Sequence, residues 1–280
     1  MNKIVKYLWG DYRATHEAGW TRRLLAMFVL YKCVYWLLNF TLLFGENSLV
    51  YYRQVDLTFW REPAFFLYNS LSENLSLLFI ILSMSCAVWV LLARKFKRLA
   101  FFILWFCITN IQNKVFSTLT GGDILFQHFL FFAAFLSSGN INNEWDKALH
   151  NTGVIALRIQ LCVVYFYAGL AKLLDADWMN GEAVNDSLMI YDYSLPMYYH
   201  GLGSFGVLLN YMVLVYQLLF SVLVWNQKIK KWFLLLGVAQ HVFIGIVMGL
   251  PTFGLIMIIS YAIFHAPFNS ETLKERISTS

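Results

Sequence analysis

Apolar runs of helix length recur along this chain, separated by short polar segments and not by strand-like alternation. About 20 apolar residues is the length an α-helix needs to cross a bilayer, and only helices and closed barrels satisfy their own backbone there. The runs lack the alternating segments of about ten residues that a barrel requires. Of 280 residues, 59% are hydrophobic and 13% charged, whereas a soluble domain carries about 25% charged residues. The sequence therefore predicts an all-α fold: a polytopic integral membrane helical bundle. Aromatics reach 18%, more than two interfacial belts use, so many are expected between helices.

Eight spans, within a range of seven to nine, follow from the runs at residues 24–44, 71–93, 99–119, 124–136, 154–174, 205–225, 232–250 and 252–264. Residues 1–23 read as a basic amphipathic leader, 24–268 as the transmembrane domain and 269–280 as a cytoplasmic tail. The connection 45–69, containing FWREP, is expected to hold a surface helix, GGD at 121–123 a tight turn, and 137–153 a polar linker. Basic residues gather in the leader, in RKFKR at 94–98, in KIKK at 228–231 and in the tail, whereas the loop 175–204 has no Lys or Arg. With eight spans every basic cluster falls on one side, which the positive-inside rule makes cytoplasmic, both termini included. The net charge of +5 therefore sets orientation and is no signal for nucleic acid. The first run lacks a small-residue cleavage pattern behind it, so the first helix is expected to stay as an anchor. Cys33, Cys86, Cys107 and Cys162 all fall within apolar runs and read as small apolar residues.

Charge within these runs is the exception. The segment 157–181, LRIQLCVVYFYAGLAKLLDADWMNG, carries Arg158, Gln160, Tyr165, Tyr167 and Lys172, with Asp175 and Asp177 directly after. A charge at the bilayer centre costs about 2.5–3.5 kcal/mol on insertion scales. At about 100° per residue, steps of seven drift by only about 20°, so Arg158, Tyr165 and Lys172 share one stripe with Gly169 beside it. That stripe is expected to face protein or a wet cavity; snorkelling of Arg158 and Lys172 at the helix ends is the alternative account. Lys32, halfway along the first run, is expected to pair with a carboxylate or carbonyl inside the bundle. His128 follows Gln127 in the fourth run, and His241 follows Gln240 in the seventh. The assigned topology puts Lys172 and His128 toward the outer face and His241 near mid-depth, where packed hydrogen-bonded contacts and a shared outward cavity both explain them. The histidines are scattered and have no i, i+4 partner, so no metal site is expected.

The segment 157–181 resembles the signature helix of the vitamin K-dependent gamma-carboxylase family: an aromatic run, Ala-Gly, a lysine, then an acidic loop with Asp-Trp and Gly. QHFLFFAAFL at 127–136 resembles that family's Asn-His segment, QHVFIGIVMGLPTFGLIMI at 240–258 its later histidine helix pair, and TRRLLAMFVLY its first helix. Three motifs in order imply the wider HTTM (horizontally transferred transmembrane) fold. The resemblance implies Lys172 and His128 as catalytic residues, with His241, Arg158, Gln160, Tyr165, Asp175, Asp177 and Trp178 in substrate-binding or supporting places. It implies reduced vitamin K or menaquinone as cofactor. In that family the lysine deprotonates the quinol, oxygen turns it into a strong base, and a glutamate γ-carbon loses a proton and gains carbon dioxide. The departures are Ala171 in place of the first of two lysines, an added leucine before Asp-Ala-Asp, apolar neighbours around Phe243, and a short tail where animal carboxylases carry a large lumenal domain. Small HTTM proteins also include bacterial ones similar to the sporulation-delaying protein B group, and the short length fits a protein of that sort at least as well as a carboxylase.

Two functions follow from different classes. One is a carboxylase-like, quinone-linked enzyme of the bacterial cytoplasmic membrane that acts on a peptide or small substrate at the outer face. The other is a non-enzymatic membrane factor for maturation, export or immunity of a secreted peptide, which the acidic aromatic loop 175–204 would bind. Transport ranks behind both, because no inverted repeat or pair of broken helices is visible.

Overall fold

The computed structural model describes residues 9, 14–45, 48, 72–93, 95–137, 143–191 and 194–265. All regular elements among them are helical. They are α1 (Thr15–Leu38), α2 (Phe40–Phe44), α3 (Glu73–Leu92), α4 (Lys97–Lys114), α5 (Gly121–Ala133), α6 (Glu144–Leu173), α7 (Ala176–Asn180), α8 (Ala183–Leu188), α9 (Ser204–Leu223), α10 (Lys230–Ile246) and α11 (Pro251–Ser260), with short 3-10 turns at Phe116–Thr118, Pro196–Tyr198 and Tyr261–Phe264. The expected surface helix in 45–69, most of the leader and the tail lie outside the described residues. The chain divides into two compact units, Met1–Leu157 and Arg158–Ser280, with the boundary inside α6.

Among the described residues three helices are long and apolar enough to cross a membrane: α3, α6 and α9, with Pro251–Phe264 a shorter apolar helix. Eight were expected. The shortfall has a physical cause: α1 carries Arg22, Arg23 and Lys32, α4 ends in Asn110, Gln112, Asn113 and Lys114, and α5 has only 13 residues. In the three long apolar helices only 39%, 39% and 33% of the most apolar window is buried. Leu78, Ile81 and Trp89 on α3 and Leu208, Val215 and Val222 on α9 point outward, the reverse of a water-facing helix surface.

In the first unit, α1 packs on α3, α3 on α4 and α4 on α5. Phe28 of α1 meets Phe126 of α5 edge to face at 4.8 Å between centroids. Lys32 is expected to pair with a carboxylate or a carbonyl, and its partner is a carboxylate: its Nζ lies 2.7 Å from Asp123 Oδ1, with both residues buried. Asp123 also accepts from Gln112 Nε2 at 3.2 Å, and its other oxygen accepts from the Thr120 backbone N–H at 2.9 Å. The last bond caps a helix start. GGD is therefore the first turn of α5 and not a tight turn between spans.

The region expected as a polar linker, 137–153, is also corrected, because α6 begins at Glu144. Glu144 and Asp146 complement the helix dipole in its first turn. Asp146 pairs with Arg98, and Ser137 Oγ donates to the other Asp146 oxygen at 3.0 Å. His150 Nδ1 accepts from the Ser137 N–H at 2.9 Å. Here polarity marks internal partners, not solvent. Arg22 Nη1 and Arg98 Nη2 donate to the Leu136 and Phe135 carbonyls, each at 3.1 Å, beyond the end of α5. These basic-cluster residues thus satisfy carbonyls that would otherwise be orphaned.

In the second unit, the later half of α6 packs on α9. A Cβ on Gly169 would stand 2.8 Å from Leu218 Cδ2, and Ser221 Oγ donates to the Cys162 carbonyl at 2.7 Å. Helices α10 and α11 form a close hairpin in which Gly254 lies against the His241 carbonyl. All four cysteines are free, as the sequence suggests.

Candidate functional site: a cavity beside Lys172

The second unit contains a cavity of about 440 Å³ whose walls come from the end of α6, from α7 and α8, and from α9, α10 and α11. Its lining is mainly apolar: Phe205, Met212, Leu236, Phe243, Ile244 and Phe253 contribute. Pockets of this size and character hold small apolar molecules oriented by a few polar groups. The polar lining residues are Lys172, Ser187, Tyr216, Gln217 and Gln240.

Local sequence explains how Lys172 is held. Helix α6 ends at Leu173, and Asp175 then caps α7 by accepting from the Asp177 and Trp178 N–H groups at 3.1 and 3.2 Å. Gly181, at φ 85, closes α7 in the left-handed conformation that favours glycine. This turn brings Trp178 under the lysine, whose Nζ stands 4.5 Å from the ring centroid. An ammonium over an indole face is attracted by the ring quadrupole. Asn210 of α9 donates to the Trp178 carbonyl at 2.8 Å and ties the turn to the bundle. Lys172 is the one cationic side chain among the described lining residues.

Next to the cavity lies a buried hydroxyl cluster. The Tyr165 hydroxyl is 2.6 Å from His241 Nε2 and bonds the Tyr261 hydroxyl, which is 3.3 Å from that of Tyr216. Tyr216 lines the cavity, so a continuous hydrogen-bonded chain runs from the cavity wall to His241. Tyr165 stacks on Phe220 with centroids 4.0 Å apart, and Tyr216 stacks on Phe233 at 4.6 Å. Gly237 of α10 leaves the space that the Tyr216 and Tyr261 hydroxyls occupy.

The candidate residues divide accordingly. Lys172 and Trp178 line the cavity, and Tyr165 and His241 form the cluster beside it. Arg158, the other end of the stripe, is buried and donates from Nε to the Ile263 carbonyl at 3.0 Å, with its guanidinium 5.7 Å from the Phe264 ring. It anchors the last described turn of the unit to α6. The stripe thus faces protein at Arg158 and Tyr165. Gln160 is half-buried on α6; Asp175 and Asp177 are exposed. His128 belongs to the first unit, on an exposed face of α5. Asp177, Glu182 and Asp186, all exposed, bring carboxylate oxygens within 4.8 Å of one another. Tyr216, Gln217 and Tyr261 belong to the site but are not among the residues that the sequence singles out. Gln217 had a usable signal, since it is a lone amide within the apolar run LVYQLLF.

Comparison with known proteins adds a partial likeness. The chain is similar to the sporulation-delaying protein SdpB of Bacillus subtilis (strain 168). The two are 27% identical over 118 residues, which is 40% of this chain and 36% of that protein. The match therefore spans about a third of the relative's length. No family model and no solved structure matches the chain.

Proposed function

We propose that this protein is an integral membrane protein and that its second unit binds a reduced quinone in the Lys172 cavity as a carboxylase-like enzyme. The observation that carries the reading is the cavity itself: apolar walls, one cation held over Trp178, and a hydroxyl chain leading inward. Reduced vitamin K or menaquinone fits this lining. Its ring matches the aromatic walls, and its oxygens match Lys172 and the two glutamine amides, each of which has a buried polar atom without a partner among the described residues. When bound, a reduced quinone supplies the chemistry of an oxygen-driven base. Lys172 Nζ exchanges a proton at the wall, the aromatic walls exclude water, and Trp178 fixes where the lysine stands. Oxygen-dependent epoxide formation by the purified protein with reduced menaquinone, lost in Lys172→Ala, is the expected result. Equal product from the variant refutes the role of Lys172.

A second reading has its own support. The partial likeness to the sporulation-delaying protein SdpB and the exposed carboxylates of Asp177, Glu182 and Asp186 support a factor that engages a cationic secreted peptide at the loop following α6. Under it, the triple substitution Asp177→Asn, Glu182→Gln, Asp186→Asn abolishes peptide binding while Lys172→Ala leaves it intact.

A further inference from the structure

We infer that Gln217 selects a ligand that donates a hydroxyl hydrogen, so that the cavity prefers the reduced form of a quinone to the oxidised form. The inference rests on the ligand-binding reading of this cavity and names its specificity-determining residue. Gln217 sits on α9 and is 9% exposed, yet its Oε1 is buried with no partner among the described residues. A buried acceptor left unpaired costs about 1–3 kcal/mol, and the remedy is a donor brought by whatever fills the cavity. Gln240, on α10, lines the same cavity and presents the complement: a buried Nε2 donor without a partner. Lys172 is also a donor. Donors accept any ligand oxygen, whether carbonyl, ether or hydroxyl. The Gln217 oxygen is met only by an N–H or O–H. The other cavity walls include Met212, Val213 and Leu236, which carry no hydrogen-bond donor, and none of the lining donors is bonded to the Gln217 oxygen.

A site built to hydrogen-bond a ligand hydroxyl rejects the analogue that lacks it more strongly than an apolar pocket does. A quinol carries two hydroxyls and its quinone none, although the two have nearly the same shape. The discrimination therefore lies in the one group where they differ. Gln240 and Lys172 contribute to both forms, and Gln217 to the reduced form only.

The test measures binding of menadione, and of menadione reduced with dithionite under nitrogen, to the purified full chain in detergent. Wild type, Gln217→Leu and Gln240→Leu are compared by calorimetry, and the melting midpoint of each unliganded protein is recorded. Wild type is expected to bind the reduced form at least tenfold more tightly. Gln217→Leu should lose about tenfold for the reduced form and nothing for menadione, and its unliganded midpoint should be equal to or above that of wild type, because the orphaned oxygen is gone. Gln240→Leu should weaken both forms alike. An unchanged preference in Gln217→Leu, or a lowered midpoint without ligand, overturns the inference and leaves the quinone reading standing. Failure of folded wild type to bind either form overturns both.

Discussion

Replacing Asp123 by Ala should destabilise the first unit more than any single change at its surface. Asp123 is 2% exposed and Lys32 6%. The carboxylate accepts from Lys32 Nζ at 2.7 Å, from Gln112 Nε2 at 3.2 Å, and from the Thr120 backbone and hydroxyl at 2.9 and 3.0 Å. Asp123→Ala removes all four bonds and leaves the Lys32 ammonium buried, with the Trp36 ring 5.2 Å away as its remaining cation partner in view. Removing one member of a buried ion pair costs about 3–5 kcal/mol, because the other charge stays uncompensated. Removing both with apolar residues of similar size is often nearly neutral. The expected ordering is therefore a loss of about 3–5 kcal/mol for Asp123→Ala, with most of it recovered in Lys32→Met/Asp123→Leu. Unfolding of the purified protein in mixed micelles with increasing SDS, followed by tryptophan fluorescence, gives the free energies. A loss under about 1 kcal/mol for the single variant, or a double variant as damaged as the single, refutes the claim that the pair is held by mutual need.

Three further outcomes follow from the second unit. Tyr165→Phe takes the hydroxyl away from both His241 Nε2 and Tyr261 and should cost about 1–3 kcal/mol in the same unfolding assay; a neutral result would mean the cluster is not continuous. Gly169→Val pushes side-chain atoms into Leu218 at the α6–α9 contact and should cost about 1–3 kcal/mol; full stability would deny that close approach. Trp178→Ala frees Lys172 from its ring and should speed its modification by an amine-reactive reagent, with mass spectrometry reporting on that site; an unchanged rate would show that the ring does not hold the lysine.

What was legible in the sequence was what a single helix encodes. The seven-residue spacing of Arg158, Tyr165 and Lys172 predicted a protein-facing stripe, and the structure buries Arg158 and Tyr165 while Lys172 reaches a cavity. Lys32, costly wherever it is buried, implied a carboxylate or carbonyl partner, and that partner is the Asp123 carboxylate. What was not legible depends on partners distant in sequence. Asp146 read as linker because its partner Arg98 belongs to another segment, and His150 because its bond to the Ser137 N–H closes only when the chain folds back over 13 residues. GGD read as a turn because glycines suit turns, yet Asp123 caps the helix that contains it. The count of spans rested on apolar length, and α1, α4 and α5 carry too much polarity or too few residues to meet it. The Tyr216–Tyr261–Tyr165–His241 chain joins four separate runs, and no periodicity announces it.

Photolabelling shows whether the Lys172 cavity takes a quinone-like ligand. The purified protein is illuminated with a menaquinone analogue carrying a ring-proximal diazirine, with and without excess menaquinone, and the labelled peptides are mapped. Saturable labelling confined to α9, α10 and the turn around Trp178, competed by menaquinone and weakened in Lys172→Ala, is the expected result. Labelling that menaquinone does not compete, or that falls on residues of the first unit instead, contradicts it.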